Sequence, residues 1–287
     1  MGIELTNRAL LVSLQISQWS ARKLDKQETA DLAAKHNTPS EVARVNKSLL
    51  PMSLALTDIH KLTNEIRWWY YRNSLPWGLE GINAITTAGY MDFIKTITAK
   101  MVTWRGKAAH FISVYPELKE NAKQVLNGMY KEADYPETCD LARKFSIDCQ
   151  FFPIASEGDW RVEMASEELE RLKQDTIKRT EERLAHANDD AWRRVHKVVT
   201  HAVEQLDATR PAFRETLVDN AKELCRALTV LNIAGDPNLE AIRSQIEGAL
   251  ANQDYHTLKT DPVVRVEVAD KMKEIMSKMG GMYAPAK

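Results

Sequence analysis

From Ser166 to Asp207 the chain contains neither Pro nor Gly, and apolar or small residues return every third or fourth position. They are Leu169, Leu172, Thr176, Leu184, Ala187, Ala191, Val195, Val198, Ala202 and Leu206. Glu, Lys, Arg and Asp fill the positions between, so the spacing predicts one helix with a narrow apolar stripe along a charged rod. At ~1.5 Å per residue such a rod is roughly 60 Å long, more than a compact domain needs. Part of it is therefore expected to pack on another long helix, either Tyr90 to Tyr115 of the same chain or the rod of a second subunit. A homo-oligomer is the expected state.

The rest of the chain has shorter periods. Ala9 to Trp19 alternates, with Leu10, Val12, Leu14 and Ile16 on one side, and so predicts a half-buried strand. Arg22 to His36 predicts a helix, and Ser40 is placed to cap a short one ending before Pro51. Ser53 to Asn73 predicts a helix capped by Ser53, with Leu75-Pro76-Trp77-Gly78 as the turn after it and Ile82 to Thr87 as a short strand. Tyr90 to Tyr115 predicts a further helix; Pro116 then kinks it or starts another, which runs to Gly128 as a C-terminal cap. Phe145 to Phe151 alternates like a second strand, with Trp160 to Met164 as its return partner. After the rod, Arg210-Pro211 predicts a turn into a helix containing Phe213 and Leu217. Helices over Leu239 to Leu250 and from Asp261-Pro262 to Met279 complete the chain. The expected fold is mainly α: a long-helix bundle or coiled-coil hairpin with a small antiparallel β element (α+β). Residues 1–165 form its helical and sheet-bearing region. Residues 166–287 form the rod and the C-terminal helices, continuous with it.

Composition narrows the function. Of 287 residues, 39 are Lys or Arg and 40 are Asp or Glu, so the net charge of -1 creates no global field for a polyanion. Any nucleic-acid site must be local. The three cysteines have no metal or disulfide spacing, no apolar run reaches the ~18 residues of a membrane span, and Met1 to Asn7 lacks a leader pattern. A soluble cytoplasmic protein with no membrane contact is expected. Phosphate-loop, dinucleotide, nucleophile-elbow and zincin motifs are absent, so the expectation is a non-enzyme with no cofactor or metal. His196 and His201 are five apart on the rod, which places them near opposite sides, whereas ligands on one helix want three or four. Adjacent carboxylates such as Glu181-Glu182 diverge by ~100° and cannot converge on one atom.

The densest chemistry is Arg67-Trp68-Trp69-Tyr70-Tyr71-Arg72, followed by Trp77. Aromatic faces that stack on bases beside cations that meet phosphates are what single-stranded nucleic acid needs, so Arg67, Trp68, Tyr71, Arg72 and Trp77 are candidate contacts. Arg105 and Lys107, beside Trp104, and Arg193, Arg194 and Lys197, beside Trp192, extend the candidate set. The same residue types also fill cores and dominate protein interfaces. In the core-and-clamp alternative Trp69 and Tyr70 are buried, Trp68 and Tyr71 seal neighbouring helices, and the arginines pair with acids.

The segments Gln18-Trp19-Ser20-Ala21-Arg22-Lys23, Leu75-Pro76-Trp77 and Asp134-Tyr135-Pro136, in this order and spacing, resemble an uncharacterised family of proteins encoded by bacteriophages and related mobile elements. The resemblance implies a phage protein in a bacterial cytoplasm, encoded near genes of DNA metabolism, and transfers no catalytic residue. Two functions are thereby expected. One is an oligomerising accessory protein that binds single-stranded DNA. The other is a scaffold or inhibitor that binds a host or phage protein through the rod.

Overall fold

The computed structural model describes residues 2–156, 166–207 and 214–283. It is mainly α with a small antiparallel β element. After α1 (Gly2–Arg8), the alternating stretch becomes β1 (Ala9–Ser17). Leu11 and Val12 are both buried, so that part of the strand is covered on both faces rather than one. Next come β2 (Arg22–Leu24), α2 (Lys26–Lys35), β3 (Asn46–Ser48) and α3 (Leu54–Arg72). The short helix expected after Ser40 is absent; turns lead into β3 instead. Ser53 does cap α3, its hydroxyl accepting from the Leu56 backbone N–H at 3.3 Å.

The Leu75-Pro76-Trp77-Gly78 stretch is a strand, β4 (Leu75–Leu79), and not the expected turn. It pairs antiparallel with β5 (Ile82–Thr86) through a register shift between Pro76 and Leu79. Pro76 cannot donate to a ladder, and the irregular edge strand accommodates it. The four-stranded order is β4-β5-β1-β6, where β6 is Ser146–Pro153. Helix α4 runs unbroken from Tyr90 to Leu126, straight through Pro116. Pro116 is exposed, and its missing N–H leaves the Ile112 carbonyl without its usual helical partner. The remaining helices are α5 (Thr138–Arg143), α6 (Ser166–Leu206), α7 (Thr216–Leu231), α8 (Pro237–Ile246), α9 (Tyr255–Thr260) and α10 (Pro262–Gly280). The expected return strand at 160–164 and the turn at 210–211 lie outside the described residues. Among those residues no helix is long and apolar enough to cross a membrane.

The chain forms two compact units, neither continuous in sequence. The first comprises Met1–Ser13, Trp69–Lys95 and Gln150–Lys287; the second comprises Leu14–Trp68 and Thr96–Cys149. In the first, the second half of α6 packs with α7, α8 and α10, and Leu75, Trp77 and Ala84 of the sheet join the same apolar core. In the second, Ile59 and Ile66 of α3 and Ile97, Trp104, Phe111 and Tyr115 of α4 are buried. The polar atom of Trp104 is not orphaned there. Its indole N–H donates to Thr63 Oγ1 at 2.8 Å, and that hydroxyl donates to Gln18 Oε1 at 2.7 Å.

Charge also organises the second unit. Antiparallel pairing of β2 with β3 sets Lys23 directly opposite Lys47, a repulsive cross-strand pair on its own. Asp134 resolves it, with Oδ1 2.6 Å from Lys23 Nζ and Oδ2 2.7 Å from Lys47 Nζ. Lys47 and Asp134 side chains are each 4% exposed, and Lys47 also donates to the Met129 carbonyl at 2.9 Å. Burial alone would raise the Asp134 carboxyl. The two ammonium groups outweigh that and hold it below the usual carboxylate range. A depressed folded-state pKa stabilises above the unfolded value of about 4 and loses that contribution as pH falls. Asp134→Ala leaves the buried Lys47 with only the Asp25 carboxylate at 3.9 Å and the Met129 carbonyl, so urea unfolding at pH 7 is expected to show a loss of about 3 kcal/mol. The gap from wild type should narrow below a pH of about 4, where wild type protonates the same carboxylate. An equal gap at both pH values would contradict this role.

Candidate interaction surface

Helix α6 carries one stripe in two different environments. Leu169, Thr180, Ala191 and Ala202 recur at eleven-residue spacing, as do Lys173, Leu184, Val195 and Leu206. That period, about 3.67 residues per turn, keeps a stripe nearly parallel to the axis of a straight helix. The buried residues are Ala187, Ala191, Trp192, Val195, Val199, Ala202 and Leu206, all in the second half. Between Ser166 and His186 no side chain is buried. The expected stripe is therefore present over its full length and buried over only half of it.

Contact with the sheet begins near Arg183. Its Cγ lies 3.3 Å from where a Cβ on Gly78 would sit, and Gly78 has φ +69, a conformation that favours glycine. Leu184 packs against the apolar core. One turn earlier and beyond, Leu169, Leu172 and Ile177 are half-buried and, among the described residues, stand outside that core. Charges border them closely. Glu168 and Arg171 are 3.7 Å apart, Glu170 and Lys173 3.8 Å, and Asp175 and Arg179 3.8 Å. All are pairs within the helix. Such pairs keep an exposed helix soluble and contribute little to stability. Glu167 and Glu168 additionally sit at the positive end of the helix dipole.

The aromatic-basic candidates divide between the two units. In the first, Trp77 is 1% exposed, so burial removes it from any surface that could stack on a base. Tyr70 is also buried and donates its hydroxyl proton to the Val12 carbonyl at 2.8 Å, while Trp69 packs on Phe93 with ring centroids 4.9 Å apart. Tyr71 is 56% exposed. Arg72 pairs with Glu223 and Arg193 with Asp189. Arg194 is a clasp: it pairs with Asp190 at 2.8 Å and donates to the carbonyls of Arg72 at 2.9 Å and Ser74 at 3.0 Å. It thereby satisfies acceptors left open where α3 ends. Lys197 is exposed.

In the second unit, Arg67 is exposed and Trp68 is 56% exposed. Arg105 donates to the Ile147 carbonyl at 2.9 Å. Lys107 pairs with Asp58 at 2.9 Å, by hydrogen bond and charge holding that carboxyl below its usual range. A cation held by a carboxylate releases few counterions on meeting a phosphate, and Arg72, Lys107, Arg193 and Arg194 are all so held.

Other chemistry is sparse. Among the described residues no three His, Cys, Asp or Glu side chains stand together as a metal site. Burial pushes the Cys149 thiol up to about 12 and the Cys225 thiol to about 11, so neither is a thiolate at neutral pH. The sequence names Asp134 only within a motif and gives it no role, because its partners Lys23 and Lys47 are remote in the chain and carry no local signal. Two of the motif segments do meet around it. Lys23 of the first touches Asp134 of the last, Trp19 packs edge-on against Tyr115 at 5.9 Å, and the Tyr115 hydroxyl donates to the Pro136 carbonyl at 2.9 Å. In this protein those motifs hold the fold together.

No family model, curated protein or solved structure matches the chain.

Proposed function

We propose that the protein is a non-enzymatic scaffold, or an inhibitor of a host factor, in a phage-type setting in the bacterial cytoplasm. It works by binding another polypeptide along the first half of α6. One observation carries this reading: Leu169, Leu172 and Ile177 line a helix with no buried residue from Ser166 to His186. An apolar stripe flanked by charges is the form in which a helix enters a partner's groove or a coiled coil. The pairing of four candidate cations with carboxylates supports a protein partner over a phosphate backbone.

A photoreactive phenylalanine analogue at Lys173, within the stripe, tests this in cells that carry the gene in its natural neighbourhood. The reading expects a discrete cross-linked protein from that position and none from the same analogue at Glu204, an exposed residue of the packed half. Equal labelling from both positions, or none from either, would sink it.

A second reading keeps single-stranded DNA as the partner, because Arg67 and Trp68 lie exposed side by side in the second unit. Fluorescence anisotropy of a labelled oligonucleotide over a salt series decides it. Binding that weakens steeply with salt and is lost in the double variant Arg67→Ala, Trp68→Ala would favour DNA. No binding at low salt would end that reading.

A further inference from the structure

We infer that α6 carries a tyrosine-binding seat, made by Asp189, Trp192, Arg193 and His196, which the chain fills with its own Tyr283 and which a tyrosine of another polypeptide can take instead. The seat lies on the second half of α6, within the first unit, and does not depend on the reading of the first half. Its four residues are three and four apart, so they share one face of the helix. Tyr283 stacks on Trp192 with centroids 5.9 Å apart and ring planes at 10°, and it meets the His196 ring at 6.3 Å. Its hydroxyl hydrogen-bonds with the Asp189 carboxylate and the Arg193 guanidinium. A phenol suits that pair, because its O–H donates to the carboxylate while its oxygen accepts from the guanidinium. A phenylalanine ring would leave both without that partner. Trp192 is held from behind as well: its indole N–H donates to Asp236 Oδ2 at 3.0 Å, and Asp236 Oδ1 caps α8 by accepting from the Asn238 N–H at 2.9 Å. The stacking surface is therefore oriented without help from Tyr283.

The segment that delivers Tyr283 is built to let go. The backbone N–H groups of Gly281, Met282 and Tyr283 bond to the carbonyls of Lys278 and Met279, so its backbone is tied to α10 while the Tyr283 side chain reaches α6. Gly280 and Gly281 come just before. A Cβ on Gly280 would meet nothing within 4 Å, one on Gly281 would lie 3.6 Å from the Lys278 carbonyl, and neither glycine has a positive φ. Alanine would fit at both positions, so what the pair contributes is backbone freedom. A ring on so short a flexible tether has an effective concentration on the order of millimolar, which a free segment can match. Charge favours a neutral phenol over a nucleotide here. Asp189, Asp190 and Asp236 surround Trp192, and Arg193 and Arg194 are already paired with the first two of them, so a phosphate would meet uncompensated carboxylate.

Saturation-transfer NMR on the full chain tests this, with the peptide Met-Tyr-Ala-Pro-Ala-Lys, the sequence of Met282 to Lys287, as the probe at roughly millimolar concentration. In Tyr283→Ala, transfer to the peptide's ring protons should be about fivefold or more stronger than in wild type, whose seat is already filled. The same peptide with phenylalanine in place of tyrosine should lose most of that signal. Tyr283→Phe keeps the ring packed and the fold with it. It should give an intermediate signal, because the incoming hydroxyl regains Asp189 and Arg193. Adenosine monophosphate in the same experiment should receive little transfer. Equal transfer in wild type and Tyr283→Ala overturns the inference, and so does no transfer in either Tyr283 variant. Tyrosine and phenylalanine peptides that behave alike, or transfer to the nucleotide in place of the peptide, overturn it too.

Discussion

The first unit depends on what α6 places on its inner face. At Ala187, Ala191 and Ala202 the stripe carries methyl groups, each completely buried, so neighbouring helices can approach closely. Val195, Val199 and Leu206 then fill the spaces between, against Leu217, Leu224 and Leu228 of α7 and Met272 and Ile275 of α10. A larger side chain at any of the three alanines would have no room, since a well-filled core charges for added volume as it does for lost volume. The same stripe, continued toward Ser166, changes character. Leucine, isoleucine and threonine replace alanine, and charged residues close in on both sides. One half of the helix is enclosed by its own chain; in the other half the side chains are half-buried or exposed.

The second unit has a polar anchor. Asp134 sits between two lysines that the pairing of β2 with β3 would otherwise bring into opposition. Three backbone segments remote in sequence are fixed at one point by a single carboxylate. Such a cluster gives position at the expense of desolvation, and it leaves little chemistry to spare: both its lysines are committed to the carboxylate. Around it the aromatic residues are structural as well, with Trp104, Phe111 and Tyr115 buried and the polar tips of Trp104 and Tyr115 satisfied.

The elements that could be read from the sequence are those whose periodicity runs long enough to exclude another reading: α6, α3 and β1 are found within a residue or two of the expected ends. Three-residue strands such as β2 and β3 have no period to read. The strand β4 was hidden by Pro76 and Gly78, both turn formers, which an edge strand with a register shift tolerates. The helix continues through Pro116, which local sequence alone does not dictate. For the aromatic-basic segment, four successive aromatics had to point in different directions, and they do: Tyr70 inward, Trp68 and Tyr71 outward, Trp69 between. Which cations meet carboxylates is tertiary. Glu223 and Asp58 are far in sequence from Arg72 and Lys107, and only Asp189 and Asp190 lie within helical reach of Arg193 and Arg194.

The division of α6 into an enclosed half and a half with no buried side chain is open to direct measurement by amide hydrogen exchange with mass spectrometry at high dilution. At high dilution, peptides from the second half, with Ala187, Val195 and Leu206, should exchange slowly, and peptides holding Leu169 to Ile177 much faster. Uniformly slow exchange along the whole helix at high dilution would mean that its own chain already encloses the first half, contradicting the account.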